Sequence, residues 1–179
     1  MAVLNALDWR QTTYTPTMRI LGIDPGLLLT GYGCVELSAR SVEPALVEAG
    51  VFRLKPRTPM PFRLRQLHDD LCGVLDELQP RVMAVEKLFA TYVHPRTPIL
   101  MGHARGVVLL AAQQRSLEII ELSATAVKKA ITGNGHASKR QMQEAIRTQC
   151  GLEKAPSPPD VADAIGIALC AARRVNGLA

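Results

Sequence analysis

Residues 19–33, RILGIDPGLLLTGYG, decide how this chain is read. Ile20, Leu21 and Ile23 make an apolar strand that runs into Asp24, turns at Pro25 and Gly26, and resumes through Thr30, Gly31 and Gly33. An ionised side chain at the end of a buried strand is costly unless something pairs with it. Two explanations compete at this point. An Asp before Pro-Gly can cap its own turn, or the carboxylate can belong to a site built from other parts of the chain.

Working outward, residues 18–24, 30–37 and 46–54 are rich in Val, Ile, Leu and Tyr and are joined by short Pro- or Gly-containing links, the pattern of three successive antiparallel strands. In PFRLRQLHDDLCGVLDEL, Leu64, Leu67, Leu71, Val74, Leu75 and Leu78 recur at helical spacing between Pro61 and Pro80, which predicts an amphipathic helix. RVMAVE reads as a short buried strand ending on Glu86. A loop, KLFATYVHPRTP, then leads to an apolar helix over about residues 99–115. The small residues Gly102, Ala104, Gly106, Ala111 and Ala112 let that helix approach another element closely, either the sheet or a second subunit, with internal packing the expected use.

LEIIEL, 117–122, is a fifth strand, and Ser123 is placed to N-cap a short helix through Val127 and Ile131. Gly133 and Gly135 interrupt the chain before Ser138 and Gln141, spaced as a capping box, open a helix that Gly151 closes. A last helix starts near Asp160. The expected architecture is α/β: a mixed five-stranded sheet, three antiparallel strands followed by two parallel ones, with helices on both faces.

The chain of 179 residues has the length of one domain that needs no staples. The expected division is an extension over residues 1–17, with little periodicity, and a domain over 18–175. A net charge of +5 favours polyanionic partners without selecting nucleic acid on its own. The four cysteines lie far apart with no C-x-x-C pair, as expected of reduced, structural thiols in a cytoplasmic protein. No stretch approaches the roughly 18 to 20 apolar residues of a membrane span, and no signal peptide is evident.

Three further acids bear on Asp24. Glu86 also ends an apolar run, and adjacent strands ending at one sheet edge would bring the two carboxylates together. Asp160 and Asp163 are three apart on one helical face after two prolines. Asp160 fits a helix N-terminus for purely local reasons. Asp163 does not: it lies among Val161, Ala164, Ile165, Ile167, Ala168 and Leu169, in a helix apolar nearly all round that carries its acids toward the sheet. Four carboxylates gathered without His or Cys repel one another, and hard divalent cations with oxygen ligands relieve that repulsion. Mg²⁺ is the expected ion. Two such ions about 3.5 to 4 Å apart suit in-line attack on a phosphodiester, so a basic protein with this cluster reads as a nuclease.

The motifs GIDPG…TGYG, VEKLF, GHARGVV, GNGHASKRQMQ and DVADAIGIAL, in that order and spacing, resemble the RuvC family of bacterial Holliday junction resolvases over about residues 18–174. The resemblance implies a ribonuclease H-like fold, a homodimer gripping a four-way DNA junction, paired Mg²⁺-dependent cuts with Mn²⁺ as a substitute, a role in recombination and repair, and a branch-migration motor as a further partner. By position, Asp24, Glu86, Asp160 and Asp163 take the places of the family's catalytic, metal-binding acids, and Phe89 that of an aromatic that stacks on junction bases. The chain departs from the family at the leading extension and at Leu27, Leu28 and Leu29, where the family has smaller or more polar residues.

From the residues themselves, Phe89 lies three positions past Glu86, where an aromatic can stack on an unpaired base. Lys128, Lys129, Lys139 and Arg140 bracket the GNGHAS loop and can line a phosphate track, with His136 inside the loop as a further DNA contact. Two rival readings keep part of this pattern. One is an ATP-binding protein of the actin and sugar-kinase type, whose second lobe has no room after Leu122. The other is a nuclease of the same fold acting on structured RNA.

Overall fold

The computed structural model describes residues 17–26, 28–38, 41, 43–88 and 96–177. Leu27, Phe89, His94 and residues 1–16 therefore lie outside the described residues. Thr17, the last residue of the expected extension, is already in the first strand.

Five strands, β1 (Thr17–Asp24), β2 (Leu29–Ser38), β3 (Ala45–Arg53), β4 (Val82–Glu86) and β5 (Glu118–Leu122), form one sheet in the order β3-β2-β1-β4-β5. β1 and β2 pair antiparallel, as do β2 and β3, while β4 runs parallel to both β1 and β5. This is the expected mixed sheet. Its central strands are apolar from Ile20 to Ile23 in β1 and from Val82 to Val85 in β4, because helices cover both faces there and leave no position for an alternating polar residue until the strands end.

Five helices complete the fold: α1 (Met60–Leu78), α2 (Arg96–Gln114), α3 (Ala124–Thr132), α4 (Lys139–Gln149) and α5 (Pro159–Val175). On one face α1 and α2 cover Leu21, Ile23, Cys34, Met83 and Val85, with Leu67, Leu71 and Leu75 of α1 fully or almost fully buried. On the other, α5 lies against Ile20, Val35, Val82 and Ala84, and α3 and α4 pack over it. Burying a leucine contributes on the order of 1.5–3 kcal/mol, so the period-3.6 stripe of α1 accounts for much of the first core. Ser123 accepts from the Ala126 N–H at the start of α3, and Ser138 with Gln141 forms the reciprocal capping box of α4.

Two details depart from expectation. Helix α2 begins at Arg96, ahead of residue 99, although Pro98 lies in its first turn. A proline is tolerated there because the N–H groups of a first turn have no intrahelical acceptor to lose. The small residues of α2 also divide between two roles. Ala104, Ala111 and Ala112 are buried against the core, whereas a Cβ at Gly102 or Gly106 would meet nothing within 4 Å. Those glycines face outward beside Ile99 and Leu110, which are 59% and 53% exposed, so internal packing accounts for the alanines alone.

Candidate active site

β1 and β4 are neighbours in parallel register, Ile23 opposite Val85, so Asp24 and Glu86 end adjacent strands at the same sheet edge, about 4.8 Å apart strand to strand. The period of two then fixes where they point. Ile20 on β1 and Val82 and Ala84 on β4 belong to the α5-side core, and Asp24 and Glu86 share their parity. Both carboxylates therefore leave the sheet toward α5, whose first turn carries Asp160 and, one turn on, Asp163.

Glycines allow α5 to approach that closely. A Cβ on Gly22 would collide with the backbone of Ala164 and Ala168, one on Gly33 with the backbone of Ile165, and one on Gly31 with the carbonyl of Asp160. Gly31 is also the register partner of Asp24 across the β1–β2 ladder. The TGYG motif is thus a seat for the acidic turn of a helix, set directly beside the strand that ends in Asp24. The sequence placed these glycines in strands without showing what they face; the spacing of two between Gly31 and Gly33 was the available sign that both face one way.

Neither Asp24 nor Asp160 caps its own turn, although Asp160 does stand in the first turn of α5, where the helix dipole favours an acid. Asp24 makes no hydrogen bond among the described residues. The turn after it is fastened instead by buried Thr30, whose hydroxyl donates to the Gly26 carbonyl at 2.6 Å and accepts from the Gly26 N–H at 3.2 Å. Asp160 does not cap α5 either: the N-cap is Pro158, with no side-chain hydrogen bond. Arg105, which the sequence did not single out, donates from Nε to the Glu86 carbonyl at 3.3 Å while pairing with Glu121, and so holds the end of β4. The GHARGVV motif was the signal that could have found it.

Asp24, Glu86, Asp160 and Asp163 line one open cleft of about 290 Å³, together with Lys128, Lys139 and the apolar side chains of Met101, Val127 and Met142. Burial raises the Asp24 carboxyl, and Asp163, Glu86 and Asp160 raise it further against the opposing effect of Lys139, to about 7. Burial and then Asp163 push Glu86 upward, with Lys128 opposing. Asp163 is raised chiefly by burial, against Lys139 and Lys128. Each lysine thus offsets part of a repulsion that it does not abolish. Of the other expected contacts, Lys129, His136 and Arg140 are exposed and do not line the cleft, and Phe89 lies outside the described residues.

Among the described residues no group of three or more His, Cys, Asp or Glu side chains is placed so as to hold a metal ion as it stands. The carboxylates ring the cleft instead of meeting at a point. Their chemistry suits a hard divalent cation: all donors are oxygens, no thiol or imidazole competes, and the opening leaves coordination positions for water and substrate, as Mg²⁺ requires. No described helix is long and apolar enough to cross a membrane.

Residues 20–171 match the family model described as crossover junction endodeoxyribonuclease RuvC. A protein of that name from Rhodopirellula baltica is 46% identical over 151 residues, covering 84% of each chain. One from Desulfitobacterium hafniense is 43% identical over 159 residues, 89% of this chain and 94% of the relative. The structure of T. thermophilus RuvC in complex with Holliday junction substrate superposes with a TM-score of 0.81 at 32% identity, covering 90% of this chain and 97% of that one. A yeast mitochondrial Holliday junction resolvase, at 18% identity and a TM-score of 0.63, shares the fold. With the strand-end acids, the glycine seat and the helix-borne acids falling inside the matched span, this chain belongs to the RuvC family of crossover junction endodeoxyribonucleases.

Proposed function

We propose that this chain is a structure-selective endonuclease that resolves four-way DNA junctions by paired, metal-dependent phosphodiester hydrolysis. The supporting observation is that four carboxylates from three separate segments of the chain line one cleft, together with Lys128 and Lys139. In this reading Asp24, Glu86, Asp160 and Asp163 hold two Mg²⁺ ions, with Mn²⁺ able to replace them. Bound divalent ions supply the Lewis acidity that lowers the barrier to attack by water and screens charge on the phosphate. Lys128 and Lys139 draw the phosphate toward the carboxylates and reduce the repulsion among them. Arg105 and the Thr30–Gly26 turn keep the strand ends in place, which confers orientation and no direct chemistry.

Lys129, His136 and Arg140 act farther out, along the path of the DNA, and Phe89 stacks on an unpaired base. Two subunits related by a two-fold axis match the symmetry of a junction and place one cleft on each of two strands. The outward Gly102 and Gly106, with exposed Ile99 and Leu110, give α2 a face suited to close approach by a second copy. Family membership replaces the ATP-binding reading, while structured RNA remains a substrate to be tested.

The test compares cleavage of a four-way DNA junction, a linear DNA duplex and a structured RNA at one salt concentration with Mg²⁺. Preferential cutting of the junction is expected. Equal cutting of junction and duplex contradicts junction selectivity, and preferential cutting of RNA assigns the site to the rival substrate.

A further inference from the structure

Between Glu48 and Asp69 the chain carries no acidic residue and five basic ones, Arg53, Lys55, Arg57, Arg63 and Arg65. Of the 21 basic side chains the remaining 16 equal the 16 acidic ones, so this segment accounts for the entire net charge of +5. None of the five forms an ion pair among the described residues, whereas Arg19, Arg105, Arg115, Arg147 and Arg173 each have a carboxylate partner. Arg53, Lys55, Arg57 and Arg65 are exposed, and the buried Nε of Arg63 has no acceptor.

The fold places these charges at the catalytic end of the sheet. β3 ends at Arg53, opposite Leu29, and the Leu54 N–H donates to the Leu28 carbonyl at 2.9 Å, joining the segment to the loop that follows Asp24. β3 is two strands from β1, about 10 Å across the sheet, which is about three base-pair rises of a DNA strand. Lys128 and Lys139 reach the carboxylates from the α5 face, so the cations of the β3–α1 connection add positive charge at a separate place on the same end of the sheet. Pro56, Pro59 and Pro61 stiffen the connection, and a Thr58 N–H bond to the Lys55 carbonyl closes a turn within it, so Lys55 and Arg57 are presented with little backbone freedom to lose. Beside them Phe62 is 57% exposed with the Arg65 guanidinium 5.9 Å above its ring.

We propose that the β3–α1 connection is a second DNA-contact surface, which grips the phosphate backbone of a duplex arm beside the catalytic cleft. This rests on the nuclease reading above and adds to it a set of residues remote from the carboxylates. The contact proposed is to the phosphate backbone, which positions a duplex without reading its base sequence, and the five cations are spread over the connection and the first two turns of α1.

The experiment measures binding of a four-way junction and of a linear duplex as a function of NaCl, in the Asp163→Asn protein so that neither probe is cut. Adding R53Q, K55Q and R57Q together should weaken binding to both probes at least about tenfold at 0.1 M salt. It should also lower the slope of log affinity against log salt by about 2 to 3, since each lost phosphate contact removes about 0.9. Because all three side chains are exposed, the melting temperature should not change. Arg174→Gln, at the opposite end of α5, should leave the slope as it was. An unchanged slope in the triple variant overturns the proposal, as does an equal per-charge drop from Arg174→Gln, which would show a general effect of net charge. Failure of the nuclease reading would look different: the parent would show no preference for the junction, while the loss of slope on linear duplex would still report the surface.

Discussion

The two faces of the sheet are covered in different ways. On the α1–α2 side, leucine side chains fill the space between helix and sheet, so distance is set by side-chain volume. On the α5 side, Gly22, Gly31 and Gly33 let the backbone of α5 rest against the strands, and distance is set by the backbone itself. The first arrangement stabilises the fold and tolerates adjustment. The second positions carboxylates, because any displacement of α5 moves Asp160 and Asp163 relative to Asp24 and Glu86. Substitutions of similar size on the two sides should therefore have effects of different kinds.

The largest expected effect of such a change on cleavage is from Gly31→Ala, whose methyl group must displace the Asp160 carbonyl. Cleavage should fall by about 10- to 100-fold, as for residues that orient metal ligands, with an overpacking cost of about 1–3 kcal/mol in stability. Single-turnover junction cleavage together with thermal melting measures both. Leu71→Ala on the opposite face should show the reverse balance: about 2–5 kcal/mol of stability lost through the cavity, and a cleavage rate at 25 °C within about twofold of the parent as long as the protein stays folded. If the two variants lose activity in proportion to stability alone, the contrast between the faces is wrong.

A subtler effect concerns pH. Asp24 titrates at about 7 in the folded chain against an ordinary value of 3.8, so between these values the folded state holds a proton that the unfolded state has released. Stability from this group is thus fully present below about pH 4 and is lost as pH rises through 7. In metal-free buffer Asp24→Asn should melt above the parent at pH 8, and the gap should close toward pH 4. A gap that is constant with pH, or that widens on acidification, contradicts the repulsion described here. The smallest expected effect belongs to residues 1–16, whose deletion should leave both junction cleavage and melting temperature unchanged.

Much of this was legible in the sequence because the signals were local. Apolar runs ending in Asp24 and Glu86 could be read as strands delivering acids to an edge, and the apolar surroundings of Asp163 showed that its helix was buried. The capping box at Ser138 was equally direct. What remained hidden depended on orientation between elements. Lys128 and Lys129 are adjacent, about 100° apart around α3, so only one can face the cleft; the same holds for Lys139 and Arg140 at the start of α4. The outward glycines of α2 and the contact of Arg105 with the Glu86 carbonyl likewise required knowledge of which helix lies on which face. Charge at the β3–α1 connection was countable from the start, but its place beside the cleft follows only from the strand order.

The central claim is that carboxylates far apart in the chain form one site for divalent cations beside a DNA backbone. Its most direct test is a Mn²⁺ titration followed by electron paramagnetic resonance at pH 8, comparing the parent with Asp163→Asn and Asp24→Asn. Saturable binding by the parent, weakened at least about tenfold in either variant and weakened in the parent at pH 6 where protons compete, is the predicted result. Equal Mn²⁺ binding by all three proteins would contradict the account.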